Sequence, residues 1–423
     1  MGRESDPQVT FGACYVFDSH VSSVESAGVV CGQPHLTLPL RTELVLHNIE
    51  METVVPYVEQ LEFDFPGVPR RGPGRVFVVP DNIKQKIECA RDFLVGRLRL
   101  PYQEMAFALT LPNACWYEIT KKVGDKQRTF YVSRRPLAEM QRRIATYLED
   151  SSKWERWSMR KRGSLHRSET DLASAFRRGT SIITNAWPHR VNRSSLTLDL
   201  RDAFESITRR HVERYLTRIF ANNITHPVQS PEVTAWVLSR LVTCRGKLRQ
   251  GPPSSPAVFN CMLERLDDAL AEATGAPKRD VIMPAMYLGM RFQRYRELDA
   301  SDRRSGASYV APRGVLYTRY ADDLCFSHPD ETFPIALEEM IRKVVASHGF
   351  RINGAKTRHG RYGILEFPGV VVANGHLRPK TRLVQEILEG VSIMTAQERA
   401  GYRAFLHQFG PSGRLECLRV FDN

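Results

Sequence analysis

Two adjacent carboxylates, Asp322 and Asp323, have the residue types and spacing to hold a divalent metal. Like charges a few ångströms apart repel, so each carboxyl group takes up a proton unless a cation neutralises the pair. Asp199, which ends a separate strand-like segment, could supply a third carboxylate. These are hard oxygen ligands without His or Cys beside them, so they favour magnesium. Two such ions held about 4 Å apart serve phosphoryl transfer.

Two strand patterns must position these carboxylates. In 196–200, leucines alternate with Thr197 and Asp199, which predicts a half-buried strand that ends at a carboxylate. Segment 315–327 predicts a β-hairpin whose turn holds Asp322 and Asp323. We expect the two strands to be neighbours, so that the three carboxylates converge.

The remaining patterns predict the scaffold around this site. Apolar residues recur at helical spacing in three segments, 81–98, 136–148 and 255–273. A capping box at 395–398 opens a further helix that Gly410 can close. Two short strands at 116–119 and 129–132 predict a hairpin with a basic tip. Strands and helices mix without a strict alternation, so we predict an α+β fold.

Charge is the unusual feature of the composition. The 423 residues include 60 basic and 47 acidic side chains, a net charge of +13 that favours a polyanionic partner such as nucleic acid. The best apolar run, 281–290, is about half the length that a membrane span needs, and the polar N-terminus is no signal peptide. Eight scattered cysteines without a CxxC pair make a zinc site improbable and predict reduced thiols in the cytoplasm.

Domain boundaries are suggested by composition. Prolines and glycines cluster at 66–75, which predicts a boundary near 66–80 and leaves an N-terminal extension at 1–80 of unknown role. The polar and basic segment 151–168 predicts a flexible loop, either one that contacts RNA or a solvated connector.

Five segments, in the right order, resemble the motifs of reverse transcriptases. They are the basic hairpin 121–128, motif A at 199–207, motif B at 250–260, motif C at 320–323 and motif D at 349–353 with Lys356. The resemblance implies a right-hand polymerase fold with fingers and palm at 81–375 and a thumb at 376–423. It implies an RNA-directed DNA polymerase whose catalytic residues are Asp199, Asp322 and Asp323. These residues and Leu200 would hold two Mg²⁺ ions.

The resemblance also implies a deoxynucleotide site around these carboxylates. Lys121 and Arg128 match positions that grip the incoming triphosphate, a task for cations on a mobile hairpin. The backbone amides of Asp202 and Ala203 would face the phosphates. Phe204 occupies the position of a steric gate against the ribose 2′-hydroxyl, and its alternative role is that of a core aromatic.

Motifs B and D add three residues to that site. Gln250 and Gly251 would lie beside the nascent base pair, where glycine lets the chain approach closely. Lys356 would protonate the leaving pyrophosphate or serve as a surface phosphate contact.

A further signature resembles retron reverse transcriptases. Segment 185–189 matches the NAxxH pattern, and 176–182 fits the run before it. Such enzymes copy a cognate structured non-coding RNA, from a 2′-hydroxyl of a guanosine in that RNA, into branched msDNA, act in antiphage defence and can pair with a toxin or effector protein. Asn185 and His189 would touch RNA, brace the RNA-facing loop, or simply brace the strand. The chain departs from the pattern at 367–369, where only the glycine of the family's VTG remains, and in a long insert at 275–314.

Three alternatives stay open from the sequence. A non-retron defence reverse transcriptase, of abortive-infection or group II intron type, would normally carry a long C-terminal region, for which 376–423 leaves no room. An inactive RNA-binding scaffold would have eroded carboxylates, yet Asp199, Asp322 and Asp323 are present. An RNA-templated RNA polymerase is disfavoured by Phe204 and Ala321.

Overall fold

The computed structural model describes residues 78–123, 126–161, 172–177, 180–222, 227–276, 314–390, 394–407 and 409. From Val79 onward these residues belong to one compact unit. Residues 1–77 of the predicted extension at 1–80, most of the insert at 275–314 and Gly410 lie outside the described residues.

The first described elements are short helices. They are α1 (Asp81–Cys89), a π-helical turn (Asp92–Arg97), α2 (Tyr102–Thr110) and a 3₁₀ turn (Pro112–Cys115). The helix predicted at 81–98 is therefore present in two pieces, which bury Ile87 and Leu94.

A long hairpin follows, built from β1 (Trp116–Val123) and β2 (Lys126–Ser133). The antiparallel register places Lys121 opposite Arg128. Both predicted strands are present and extend further toward the tip than the sequence indicated. Opposite residues of an antiparallel pair project from the same face, so these two cations share one side of the hairpin.

Helix α3 (Arg135–Lys161) is longer than predicted. Its apolar face buries the four residues that the periodicity picked out, Leu137, Met140, Ile144 and Leu148. The prediction of a loop at 151–168 is wrong for 151–161, which continue the helix. Extending an existing helix by one residue costs far less than nucleating a new one, so a polar segment can remain helical.

The central sheet carries the predicted strands. It comprises β3 (Ser194–Asp199), β4 (Leu316–Tyr320), β5 (Asp323–His328) and β6 (Arg358–Gly360) in the order β4-β5-β3-β6, all antiparallel. Strand β3 was expected to be half-buried, and this is wrong: all six residues are buried. The face expected to meet solvent is covered, since Thr197 Oγ1 donates to the Glu366 carbonyl at 2.7 Å.

Helices pack around this sheet. They are α4 (Ile182–Ala186), α5 (Ala203–Ser206), α6 (Arg209–Ala221), α7 (Pro231–Val242), α8 (Ser255–Thr274) and α9 (Ile335–Ser347), with 3₁₀ turns at Trp187–Val191 and Gly354–Lys356. Helix α6 packs on α7, while α8 contacts α3, α9 and β4. The predicted helix at 255–273 matches α8, which buries Phe259, Leu263, Leu266 and Leu270.

A second sheet and two helices complete the described chain. The sheet is β7 (Ile364–Phe367), β8 (Val370–Ala373) and β9 (His376–Pro379), and the helices are α10 (Thr381–Gly390) and α11 (Ala396–His407). The predicted palm–thumb division at 375/376 falls at the turn between β8 and β9. Helix and strand segments are mixed as expected for an α+β fold. No helix in the described ranges combines the length and apolarity needed to cross a bilayer.

Candidate active site

The three predicted carboxylates meet at one end of the central sheet. The register pairs Asp199, the last residue of β3, with Asp323, the first residue of β5. The Leu200 amide donates to the Asp322 carbonyl at 3.0 Å, which ties the chain after β3 to the turn. Ala321 reverses the chain there with a φ of +54°, a left-handed conformation that is uncommon outside glycine. The hairpin predicted at 315–327 is present and has its turn at this point.

Electrostatics at this corner favour a bound cation. Burial, and then the charges of Asp322 and Asp199, raise the pKa of Asp323 to about 7. Burial is also the main cause that raises the pKa of Asp322, with Asp199 adding to it. The neighbouring carboxylates therefore destabilise the charged forms of Asp322 and Asp323, and a cation among them would relieve that repulsion.

A lysine supplies part of that positive charge within the chain. Lys356 Nζ lies 2.5 Å from Asp199 Oδ1, and the Asp199 side chain is only 10% exposed. The backbone fixes this approach, because the Asn353 amide donates to the Asp199 carbonyl at 2.8 Å, just before the 3₁₀ turn that carries Lys356. Among the described residues, no three His, Cys, Asp or Glu side chains are already arranged around one point as a metal centre requires. The donor set of oxygens alone nevertheless suits Mg²⁺.

The basic hairpin reaches toward the carboxylates. Lys121 and Arg128 are both exposed and opposite each other in β1 and β2. The charge of Arg128 lowers the pKa of Asp322, so its field extends to the acidic corner. Two exposed cations on one face of a hairpin, one of which acts on the acidic corner, form a suitable site for a polyphosphate.

Motif B is attached to this hairpin. The Tyr131 amide of β2 donates to the Gln250 carbonyl at 3.0 Å. Gly251 has a φ of +116°, and a side chain there would collide with the Tyr131 carbonyl oxygen. The sequence assigned this glycine to a close approach beside the nascent base pair; the close approach that the structure describes is to strand β2. The guanidinium of Arg249 lies 4.5 Å from the centre of the Tyr131 ring.

The residues after Asp199 form a tight turn into α5. Asp202 has a φ of +48° and precedes the helix, while Ala203 and Phe204 are buried. The Phe204 ring stacks on Phe259 of α8 with centroids 4.3 Å apart and meets Phe176 edge-on at 6.4 Å. Phe204 therefore packs as a core aromatic and retains 8% exposure.

Asn185 and His189 lie behind the β4–β5 hairpin. Both side chains are 0% exposed, so in this conformation they do not reach RNA. The His189 ring is within 2.8 Å of both Ser327 Oγ and Thr318 Oγ1, one from each strand of the hairpin. Asn185 Nδ2 donates to Cys325 Sγ at 3.4 Å. These contacts correspond to the alternative considered from the sequence, in which Asn185 and His189 brace a strand and do not contact RNA.

A buried ion pair beside the turn that carries Asp322 was not predicted from the sequence. Arg319 and Asp267 are both fully buried, with Nε 2.9 Å from Oδ1 and Nη2 2.9 Å from Oδ2. Arg319 Nη1 also donates to the Asn260 Oδ1 and Ala321 carbonyl oxygens at 3.1 and 3.0 Å. Two sequence features could have predicted this pair. Arg319 lies inside a predicted strand, where a buried arginine needs a carboxylate partner, and Asp267 interrupts the apolar face of the predicted helix α8.

Fold and site together define a polymerase palm. Residues 139–372, more than half of the chain, match the family model described as reverse transcriptase (RNA-dependent DNA polymerase). The chain belongs to the reverse transcriptase family and has its right-hand polymerase fold.

The similar curated proteins narrow this class. Retron Mx65 reverse transcriptase from Myxococcus xanthus is 29% identical over 59% of this chain and 48% of its own length. Retron Ec86 reverse transcriptase from Escherichia coli is 25% identical over 57% of each chain. Retron Mx162 reverse transcriptase from Myxococcus xanthus is 27% identical over 73% of this chain and 63% of its own. The resemblance to retron reverse transcriptases that the sequence predicted is confirmed, and the matches span about half to two thirds of these relatives.

Among solved structures, telomerase from Candida albicans in complex with a fragment of telomeric RNA overlaps 73% of this chain and 54% of its own. The sequence identity is 11% and the TM-score is 0.37.

Proposed function

We propose that this protein is an RNA-directed DNA polymerase of the retron type. It copies a cognate structured non-coding RNA, which serves as template and primer, into branched msDNA. The observation that carries this proposal is the register that sets Asp199 opposite Asp323 and beside Asp322, in a chain of the reverse transcriptase family. A cytoplasmic location, a role in antiphage defence and a toxin or effector partner belong to the same proposal and follow from the retron resemblance alone.

Asp199, Asp322 and Asp323, with the backbone at Leu200, would hold two Mg²⁺ ions. Bound there, the ions would neutralise the phosphates, activate the attacking hydroxyl and stabilise the leaving pyrophosphate. The charge of Asp199 raises the pKa of Asp322, and the charges of Asp322 and Asp199 raise the pKa of Asp323, which supports this assignment.

The chain's other residues position the deoxynucleotide. Lys121 and Arg128 grip the triphosphate from one face of the β1–β2 hairpin, and the amides of Asp202 and Ala203 face the same phosphates. The attachment of motif B to β2 couples the grip of the hairpin to the segment that meets the nascent base pair. Lys356 contacts Asp199 at the acidic corner and donates a proton to the leaving pyrophosphate.

The remaining assigned residues select and support. Phe204 excludes the ribose 2′-hydroxyl through the bulk of its ring, while Gln250 and Gly251 lie beside the templated base pair. Asn185 and His189 act through the hairpin that they brace, which keeps Asp322 and Asp323 in place for RNA-templated synthesis.

Primer extension by the purified full-length protein tests the proposal. With an RNA template, a primer, deoxynucleotides and Mg²⁺, we expect DNA synthesis that D322N/D323N reduces to background while RNA binding persists. The matched control is D330N, which removes a 69% exposed carboxylate just beyond the same hairpin. Synthesis that survives in D322N/D323N would overturn the assignment of the carboxylates.

The retron assignment has its own readout. Nucleic acid that copurifies with the protein should contain a short single-stranded DNA joined to RNA through a 2′–5′ branch. If the protein extends primers but copurifies only with linear DNA, the retron assignment is wrong and the protein is a reverse transcriptase of another type.

A further inference from the structure

An arginine-rich groove runs along helix α6, outside the acidic corner. It has a volume of about 770 Å³, and α6 contributes Arg209, Arg210, Arg214 and Arg218 to its lining. Val212, Leu216 and Phe220 of the same helix are buried in the core. This packing holds the helix backbone, and so the Cα positions of the arginines, in place. We name this feature the α6 groove.

The positive charge of the α6 groove is poorly compensated. Its two acidic lining residues are Glu213 and Glu232, and Glu213 is engaged by Arg240 at 3.6 Å. Within the described part of the chain, no carboxylate forms an ion pair with Arg210 or Arg214, and both are exposed. Arginines held close together without counter-ions create a local potential that attracts anions.

The arrangement suits a chain of phosphates better than a single one. From Arg209 to Arg218 the helix rises about 13 Å, so the cations are spread along a track. Arginine forks pair with phosphate oxygens, and contacts of this kind carry no base specificity.

Short chain segments link the α6 groove to the candidate active site. The Arg209 amide donates to the Gly246 carbonyl at 2.8 Å, and Gly246 lines the groove. Gln250 follows Gly246 by four residues, and Phe204 precedes Arg209 by five. Arg249 bonds Glu205 at 2.8 Å between these two segments. A strand in the groove would therefore contact residues four or five positions along the chain from Gln250 and Phe204.

We propose that the α6 groove binds the phosphate backbone of the RNA that the enzyme copies, through Arg209, Arg210 and Arg214. This inference rests on the proposed function for the identity of the nucleic acid. It adds a phosphate-binding track on α6 that anchors the RNA independently of the acidic corner.

The test compares R210A/R214A with R142A/K343A, which removes the same net charge from exposed sites on α3 and α9. The probe is a synthetic RNA hairpin with a single-stranded tail, and its affinity is measured across a salt series without nucleotide. Affinity falls as salt rises, and each lost phosphate contact reduces the magnitude of the slope of log affinity against log salt by about 1. We therefore expect a slope that is shallower by about 2 in R210A/R214A. Affinity at low salt should fall about tenfold. The control should keep the wild-type slope.

Primer extension separates the possible failures. If wild-type protein extends primers but R210A/R214A binds the hairpin with the control's slope and affinity, the α6 groove does not bind this RNA. The alternative hypothesis is then that the groove binds an acidic protein. If the wild-type protein extends no primer under any condition, the proposed function fails whatever the groove binds. Circular dichroism of each variant establishes that it is folded.

Discussion

The guanidinium of Arg319 and the carboxylate of Asp267 form a two-point ion pair, fully buried, beside the turn that carries Asp322. Arg319 Nη1, the nitrogen that does not bond Asp267, donates to the Ala321 carbonyl within the turn and to Asn260 of α8. The conformation of the turn is thus bonded to the helix behind it. The same arginine fork that satisfies the buried carboxylate also holds the backbone of the acidic corner.

Loss of this fork should affect stability and metal dependence together. D267N leaves the Arg319 charge uncompensated and should lower the free energy of unfolding by about 3–5 kcal/mol. R319K keeps the charge but cannot reach all four acceptors, so we expect a folded protein that needs more Mg²⁺ for half-maximal primer extension.

Chemical denaturation and a Mg²⁺ titration of extension rate measure these effects. The matched control is R342K, whose partner Glu338 is one helical turn away on α9; this pair is only partly buried, and i,i+4 pairs of helices contribute about 0.5 kcal/mol. If R319K has the stability and Mg²⁺ dependence of R342K, the fork has no role in holding the turn.

Lys356 should compete with metal for Asp199. Its ammonium lies 2.5 Å from the carboxylate, so a divalent ion must displace it or share the charge. K356M should therefore raise the affinity of nucleotide-free protein for Mn²⁺ about fivefold, the equivalent of one partly exposed ion pair. Isothermal titration calorimetry at about pH 8, above the Asp323 pKa of about 7, measures this without catalysis. K343M, an exposed lysine of α9, is the control, and equal affinities in the two variants would contradict competition.

Local patterns predicted fewer than half of the described helices and strands, and neither α6, α7 and α9 nor the second sheet was predicted. The β4–β5 hairpin, the β1–β2 hairpin and α8 each follow from apolar periodicity and turn residues within a single segment. Helix α3 shows where this fails: the polar stretch 151–161 resembles a loop when considered alone and is helical because it continues 135–150.

Long-range polar contacts were beyond the sequence. Arg319 and Asp267 are 52 residues apart, and His189 meets Ser327 across 138 residues, so no local pattern pairs them. The burial of β3 on both faces has the same origin, because the second sheet that covers Thr197 begins at Ile364. The motif resemblance predicted the residue types of the site, while the contacts that position them come from tertiary packing.

Gly251 should tolerate no side chain. In G251A the new Cβ would overlap the Tyr131 carbonyl oxygen, and the φ of +116° is itself unfavourable for alanine. We expect a displaced β2, a stability loss above about 2 kcal/mol and a raised KM for deoxynucleotides. The control G275A has a φ of +65° in open space, so it should show only the backbone cost of about 1–2 kcal/mol. Indistinguishable effects of G251A and G275A on KM would argue against the coupling of motif B to the hairpin.

Phe204 should select the sugar through the size of its ring. F204A removes a ring stacked at 4.3 Å on Phe259 and should lower stability by about 3–5 kcal/mol while it admits ribonucleotides. F204Y keeps the ring and should keep the selectivity. The measurement is the ratio of kcat/KM for deoxy- and ribonucleotides in primer extension. A stability loss in F204A without any change in that ratio would assign Phe204 to the core alone.

His189 should make the folded protein less stable in mild acid. Burial lowers its pKa to about 3, whereas an unfolded chain binds the proton with a pKa of about 6.5. Between these values the unfolded state binds more protons, so stability falls as the pH drops below about 6.5, by up to about 1.4 kcal/mol per pH unit. Above pH 6.5 this contribution is fully present.

H189Q isolates this effect, because glutamine can bond Ser327 or Thr318 but does not titrate. We expect H189Q to be less stable than wild type at neutral pH, since it loses one of two 2.8 Å contacts and the packing on Phe367 at 4.5 Å. Its unfolding free energy should then fall less steeply with decreasing pH, so that the two curves converge toward pH 5. Carboxylate titrations are common to both proteins and cancel in the difference. Parallel curves would mean that His189 binds a proton at the same pH in the folded and unfolded states, and hence that its ring reaches solvent.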